Sequence, residues 1–101
     1  MARFDVYRLA GREEARYALD VQADLLQELG TRVVVPLLPP DKAPKPAKGL
    51  NPVFAFDGLP WVMMTQYLAA VPDRELNKVV ASFAIHQDDI TRALDLLLTG
   101  F

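Results

Sequence analysis

Arg32-Val33-Val34-Val35-Pro36-Leu37-Leu38 is the stretch on which the fold turns. Three consecutive β-branched valines are the strongest strand signal in the chain. Pro36 has no N–H to give to a ladder, so it predicts an edge strand or a bend at this point. Upstream, Phe4 and Val6 fall on one face of an alternating segment, and Asp5 and Tyr7 on the other. This predicts a first strand reaching to about Leu9. Ala10 to Glu14 then reads as a turn, with Gly11 supplying backbone freedom. Tyr17, Leu19 and Val21 alternate with Ala18, Asp20 and Gln22, a second strand closing a hairpin on the first. Ala23 to Gly30 fits either one helical turn or a loop that closes at Gly30.

Downstream of the valine run, residues Pro39 to Asn51 hold four prolines and three lysines, Lys42, Lys45 and Lys48. Such a segment makes neither ladder nor helix. It is expected to be an exposed, mobile loop that folding does not require. Val53 to Phe56, Asp57-Gly58 and Trp61 to Met64 form a hairpin signature, since Asp-Gly suits a turn with positive φ. Pro60 is expected to limit pairing of the second arm. A short strand is predicted over Tyr67 to Val71, stopped by Pro72, and Leu76 to Ala81 is indistinct. From about Phe83 the chain turns helical. Ile90, Ala93, Leu94, Leu97 and Leu98 share one face at helical spacing. Asp88 and Asp89 sit in an early turn, where the helix dipole favours anions. Gly100 suits the left-handed position after a helix.

With 101 residues the chain is expected to be one domain, residues 1–101, large enough for a core without staples. There is no cysteine, which removes disulfides, thiolate metal sites and a cysteine nucleophile, and fits the cytoplasm. The net charge of −2 gives no overall attraction to nucleic acid. No apolar run approaches the ~18 residues of a membrane span. Apolar residues reach 51 %, high enough to suggest burial between two copies.

Candidate chemistry is sparse. His86 is the single histidine and has no partner for metal binding or proton transfer, so a structural role is favoured. Ser82 is the one serine and lacks nucleophile-elbow glycines. No glycine loop cradles a phosphate, and the Asp88-Asp89 pair reads as a solvated helix-dipole device. Arg8, Arg12, Arg16 and Arg32 invite a phosphate track, but pairing with Glu13, Glu14 and Asp20 is the simpler reading. Phe54, Phe56 and Trp61 read as core. No cofactor and no catalytic residue is expected. The tail Thr99-Gly100-Phe101, just past a patterned helix, reads either as a small rigid probe or as Phe101 tucking back into the core.

Four segments resemble the CcdB toxins, gyrase poisons of bacterial toxin–antitoxin modules. They are Tyr17 to Leu26, with its Asp20-Val21-Gln22 core; Thr31 to Leu37; Leu50 to Val53 with Trp61 to Thr65 and Val71-Pro72; and His86 to Phe101. The resemblance runs in order over nearly the whole chain. It implies a mainly β fold with one C-terminal α-helix: an SH3-like barrel of antiparallel strands with a small wing sheet.

The resemblance further implies a homodimer with the helix ends near the two-fold axis. Such a dimer binds the gyrase A subunit and traps gyrase on cleaved DNA. A CcdA-type antitoxin neutralises it, and operator DNA is met only through the antitoxin complex. The family's gyrase-contacting positions fall on Leu25, Leu26, Asp95, Thr99, Gly100 and Phe101. The tail departs from the best-known pattern, with Thr-Gly-Phe where that pattern has Trp-Gly-Ile, and Asp95 replaces an asparagine. Arg8, Arg12 and Arg16 are the expected contacts for an acidic antitoxin segment. The alternatives from other classes are a MazF-like endoribonuclease on the same architecture and a degenerate toxin retained for antitoxin binding or regulation.

Overall fold

The computed structural model describes residues 2–9, 17–76 and 78–100. These form seven strands: β1 (Asp5–Arg8), β2 (Tyr17–Asp20), β3 (Thr31–Leu38), β4 (Val53–Phe56), β5 (Leu59–Met63), β6 (Ala69–Pro72) and β7 (Lys78–Ser82). One α-helix, α1 (Gln87–Thr99), follows. All the pairings are antiparallel, in the order β4-β5-β3-β2-β1-β7, with β6 also on β3. The sheet coils into a half-barrel. The β4–β5 hairpin continues it past β3, and α1 packs on one face through Ile90, Ala93 and Leu94. The expected mainly β fold with one terminal helix is therefore what the structure shows. The turn expected at Ala10 to Glu14 lies outside the described residues.

Pro36 had predicted an edge or a bend, and the valine run is not an edge. β3 is the pivot of the sheet, with β2 on one side and two strands sharing the other. β6 covers Thr31 to Val34, and β5 covers Leu37 and Leu38. Pro36 sits where one partner gives way to the next. Its carbonyl accepts the Met64 N–H at 3.0 Å. A strand residue directs its N and O to the same side. The missing donor of Pro36 therefore faces the junction between β6 and β5, where no ladder bond is lost.

Pro60 does not limit its strand either. It lies opposite Ala55, one pair beyond Phe56 and Leu59, which flank the turn. Hydrogen-bonded and non-bonded pairs alternate along an antiparallel ladder, so this position needs no donor. The turn itself has Asp57 at φ 55° and Gly58 at φ 74°, the two positive values that a two-residue hairpin requires.

Alternation divides the residues into two apolar clusters. Val6, Leu19, Val35 and Leu37 face α1 and pack with Phe54, Trp61, Met63 and Phe83 against Ile90, Ala93 and Leu94. Tyr7, Ala18, Val34 and Leu76 form a second cluster from the alternate positions. The aromatic stripe is core, as expected: Tyr17 meets Phe56 and Trp61 edge-on with centroids 5.2 and 4.8 Å apart.

Several expectations are corrected. Tyr67 belongs to a 3₁₀ turn, Thr65–Tyr67, and the following strand starts at Ala69. The indistinct segment contains β7, which pairs with β1 through a register shift between Val6 and Tyr7. Leu98 is 68 % exposed, because the buried residues of α1 end at Leu94, one turn earlier. The loop from Pro39 to Asn51 is exposed along its middle but tied at its end. Asn51 is buried and donates to the Met63 carbonyl (3.0 Å) and to Gln66 Oε1 (2.7 Å). Ala43 packs on Leu38, Val62 and Met64. The loop is thus not wholly dispensable: removing Asn51 strands the buried Met63 carbonyl.

Candidate partner-binding surface

Of the residues singled out for partner contact, Leu25 and Leu26 fall on a 3₁₀ segment, Asp24–Leu29. The sequence left this stretch open between helix and loop. It becomes a tight helix because it is short and buries no side chain, so nothing extends it. Gly30, at φ 79°, ends it. Leu25 is 91 %, Leu26 44 % and Leu29 63 % exposed, so the segment presents three leucines to solvent. Such a cluster on one short turn is unusual for a surface without a partner.

What fixes this turn is polar. Gln22 is buried, and its Nε2 donates to the carbonyls of Leu26 (3.0 Å) and Thr31 (3.1 Å). Its Oε1 accepts the Val33 N–H at 3.1 Å. Leu26 has non-helical dihedrals (φ −101°, ψ 16°) at the carbonyl that Gln22 takes. At the start of the turn, Asp24 Oδ1 accepts the Arg3 N–H at 2.6 Å.

Behind Gln22 lies a buried ion pair. Its backbone N–H donates to Asp20 Oδ1 at 3.0 Å, and Asp20 Oδ2 accepts Arg32 Nε at 2.8 Å. Arg32 Nη2 also lies 2.5 Å from Oδ2, though among the described residues it and Nη1 make no well-aligned hydrogen bond. Both side chains are fully buried. Burial pushes the Asp20 carboxyl above its usual range, against the pull of Arg32 and of the Gln22 N–H. Burial likewise pushes the neighbouring Tyr7 hydroxyl up. Arg32 therefore cannot serve a phosphate track. Sequence reading offered Asp20 as an arginine partner without choosing Arg32, and it missed Gln22. The available signal was the pair of polar side chains, Asp20 and Gln22, at the end of a strand that otherwise alternates into the core.

The second group lies on the end of α1. Asp95 and Thr99 are exposed, and Thr99 Oγ1 donates to the Asp95 carbonyl at 2.7 Å. Gly100 adopts the expected left-handed conformation (φ 82°), and its N–H donates to the carbonyls of Asp95 and Leu96. Phe101 lies outside the described residues. The two groups share a neighbour. Asp95 lines an open cleft of about 410 Å³ with Asp88, Thr91, Arg92, Arg3 and Phe4, and Arg3 is the residue bonded to Asp24. Leu25 and Leu26 stand outside the cleft, beyond that bond.

The remaining candidates separate. Arg8 is exposed at the end of β1, while Arg12 and Arg16 lie outside the described residues. His86 stacks on Phe54 (centroids 4.6 Å apart) and meets Phe83 edge-on, a packing role. Asp88 and Asp89 occupy the first turn of α1, as the dipole reading expects. Among the described residues no group of His, Cys, Asp or Glu is arranged to hold a metal ion. No helix among them is long and apolar enough to cross a membrane.

In fold, the chain is similar to the solved structure of an endoribonuclease in complex with its cognate antitoxin from mycobacterial species. The two share 17 % identity at a TM-score of 0.79, over 97 % of this chain and 94 % of that one. The family model described as CcdB protein matches residues 3–100, and this chain belongs to the CcdB family.

Proposed function

We propose that this chain is the toxin of a type II toxin–antitoxin pair, acting as a single CcdB-like domain without catalysis. It works in the cytoplasm as a homodimer that binds the gyrase A subunit and traps gyrase on cleaved DNA. A CcdA-type antitoxin neutralises it, and operator DNA is engaged only through that complex. The observation that carries this reading is the exposure of both contact groups on fixed supports. Leu25 and Leu26 project from a clamped turn, and Asp95, Thr99 and Gly100 from the end of a packed helix. Phe101 completes the contact set. Exposed Ile85 (89 %) and Leu98 (68 %) support burial against a second copy. An acidic antitoxin segment is expected at Arg8, Arg12 and Arg16.

Asp95 brings a negative charge to the contact, and Thr99 lacks a ring to stack on a cation. Phe101 is the one aromatic of the tail and takes the anchor role. Incubating the protein with gyrase, ATP and supercoiled plasmid should accumulate cleaved DNA after detergent and protease treatment. A second reading is favoured by the fold shared with an endoribonuclease. It predicts cleavage of RNA by the protein alone, with no effect on gyrase. Activity in neither assay, with retained antitoxin binding, would leave the degenerate toxin.

A further inference from the structure

We propose that Gln22 is a positioning residue for partner binding, and that Leu29 belongs to the contact surface with Leu25 and Leu26. The inference rests on the reading of the chain as a gyrase-binding protein. The turn Asp24–Leu29 buries none of its own side chains. Its three leucines point outward, 91 %, 44 % and 63 % exposed, so packing does not hold it. An isolated 3₁₀ turn of this length is not stable by itself. Its shape therefore depends on the groups that tie its ends to the sheet.

Asp24 ties the start of the turn to Arg3, and Gln22 ties its middle to β3. One amide group draws in the Leu26 carbonyl from the turn and the Thr31 carbonyl beyond it, and takes the Val33 N–H on β3. The backbone kink falls at Leu26, whose carbonyl leaves the helical path to reach Nε2. Gln22 is itself held in place, because its N–H is bonded to the Asp20 carboxylate, which Arg32 pins from behind. The leucines are thus presented pre-formed, which spares the partner complex the cost of ordering them. Leu29 lies on the same turn, is more exposed than Leu26, and has no role in the core.

The test uses the full chain and the dimerisation domain of the gyrase A subunit, with affinity measured by titration. Gln22→Ala should weaken binding about ten-fold or more, and Leu29→Ala about three- to ten-fold. Gln22→Ala should lose most of its effect in a Leu25→Ala/Leu26→Ala background, because it acts through those side chains. Asn51→Ala is the control. It breaks a comparable buried polar clamp on the long loop, so it should cost similar stability and leave affinity unchanged. Amide exchange in the free protein gives an independent measure. Gln22→Ala should deprotect the Leu26 N–H, bonded to the Ala23 carbonyl, while β3 and α1 stay protected.

Unchanged affinity in Gln22→Ala, or equal losses in Gln22→Ala and Asn51→Ala, would overturn the positioning role. Unchanged affinity in Leu29→Ala would remove Leu29 from the surface. If the unaltered protein fails to bind the gyrase fragment, the proposed function fails instead. Unaltered exchange at Leu26 in Gln22→Ala would then overturn the clamp itself.

Discussion

The two regions that present exposed candidate contacts are built by opposite means. The end of α1 is carried by apolar packing: Ile90, Ala93 and Leu94 are buried under the sheet, and the helix projects Asp95 and Thr99 from that base. The turn Asp24–Leu29 has no such base and is carried by the side chains of Gln22 and Asp24. Packing spreads its contribution over many weak contacts. A polar clamp concentrates it in a few directional bonds, each costly to break once buried. The helix end should therefore tolerate change near its tip, while the turn should respond sharply to single substitutions behind it.

The largest effect is expected at the root of the polar clamp. Asp20→Ala leaves the buried Arg32 guanidinium unpaired and the Gln22 N–H without its acceptor, so urea unfolding should show a loss of about 3–5 kcal/mol. Replacing both partners with apolar residues should restore much of it. A small effect of Asp20→Ala would mean that the two regions are supported alike. The same residue shapes the response to pH. Its folded carboxyl holds a proton more tightly than the unfolded one, because burial outweighs Arg32. Its protonation therefore stabilises the fold below about pH 4, the ordinary carboxylate value, and this contribution is lost as pH rises through the raised folded value. Asp20→Asn should remove that downward slope from the stability–pH curve.

Next comes the packed base of the helix. Ile90→Ala should cost about 3 kcal/mol, because a fully buried aliphatic side chain leaves a cavity between helix and sheet. Amide exchange should then rise along α1 before it rises in the turn. Simultaneous exposure of both would show that the supports are coupled. Gly100→Ala meets no side-chain clash but forces an alanine to φ 82°, at a cost of about 1 kcal/mol in thermal unfolding.

The smallest effect on stability is expected from deleting residues 99–101, no more than about 1 kcal/mol, since the last buried helix residue is Leu94. The same deletion should abolish DNA trapping in the gyrase cleavage assay. An unfolded truncation would instead make Phe101 a core residue, and a folded one that still traps gyrase would remove the tail from the contact surface.

Much of this was open to reading in the residues. Period-two alternation separated Val6 from Tyr7 and Leu19 from Ala18, and the two apolar clusters of the structure follow that division. The Asp57-Gly58 turn, the dipole-facing Asp88 and Asp89 and the Gly100 cap were equally local, because each depends on backbone preference within a few positions. Other features were not readable in this way. Pro36 and Pro60 have one local meaning, an absent donor. Whether that matters depends on which neighbour lies opposite, and the neighbours come from residues far along the chain.

The sequence by itself determined the strands of the hairpins, the terminal helix and the family, because these rest on periodicity, turn chemistry and residues in fixed order. The tertiary structure alone decided that β3 is central, that β7 exists as the partner of β1, and that Leu98 faces solvent. It also decided that Asp20 belongs to Arg32 and that Gln22 holds the leucine turn. The reason is physical. A buried charge or amide is satisfied by whatever groups folding brings within about 3 Å, and that pairing is set by strand register across the sheet.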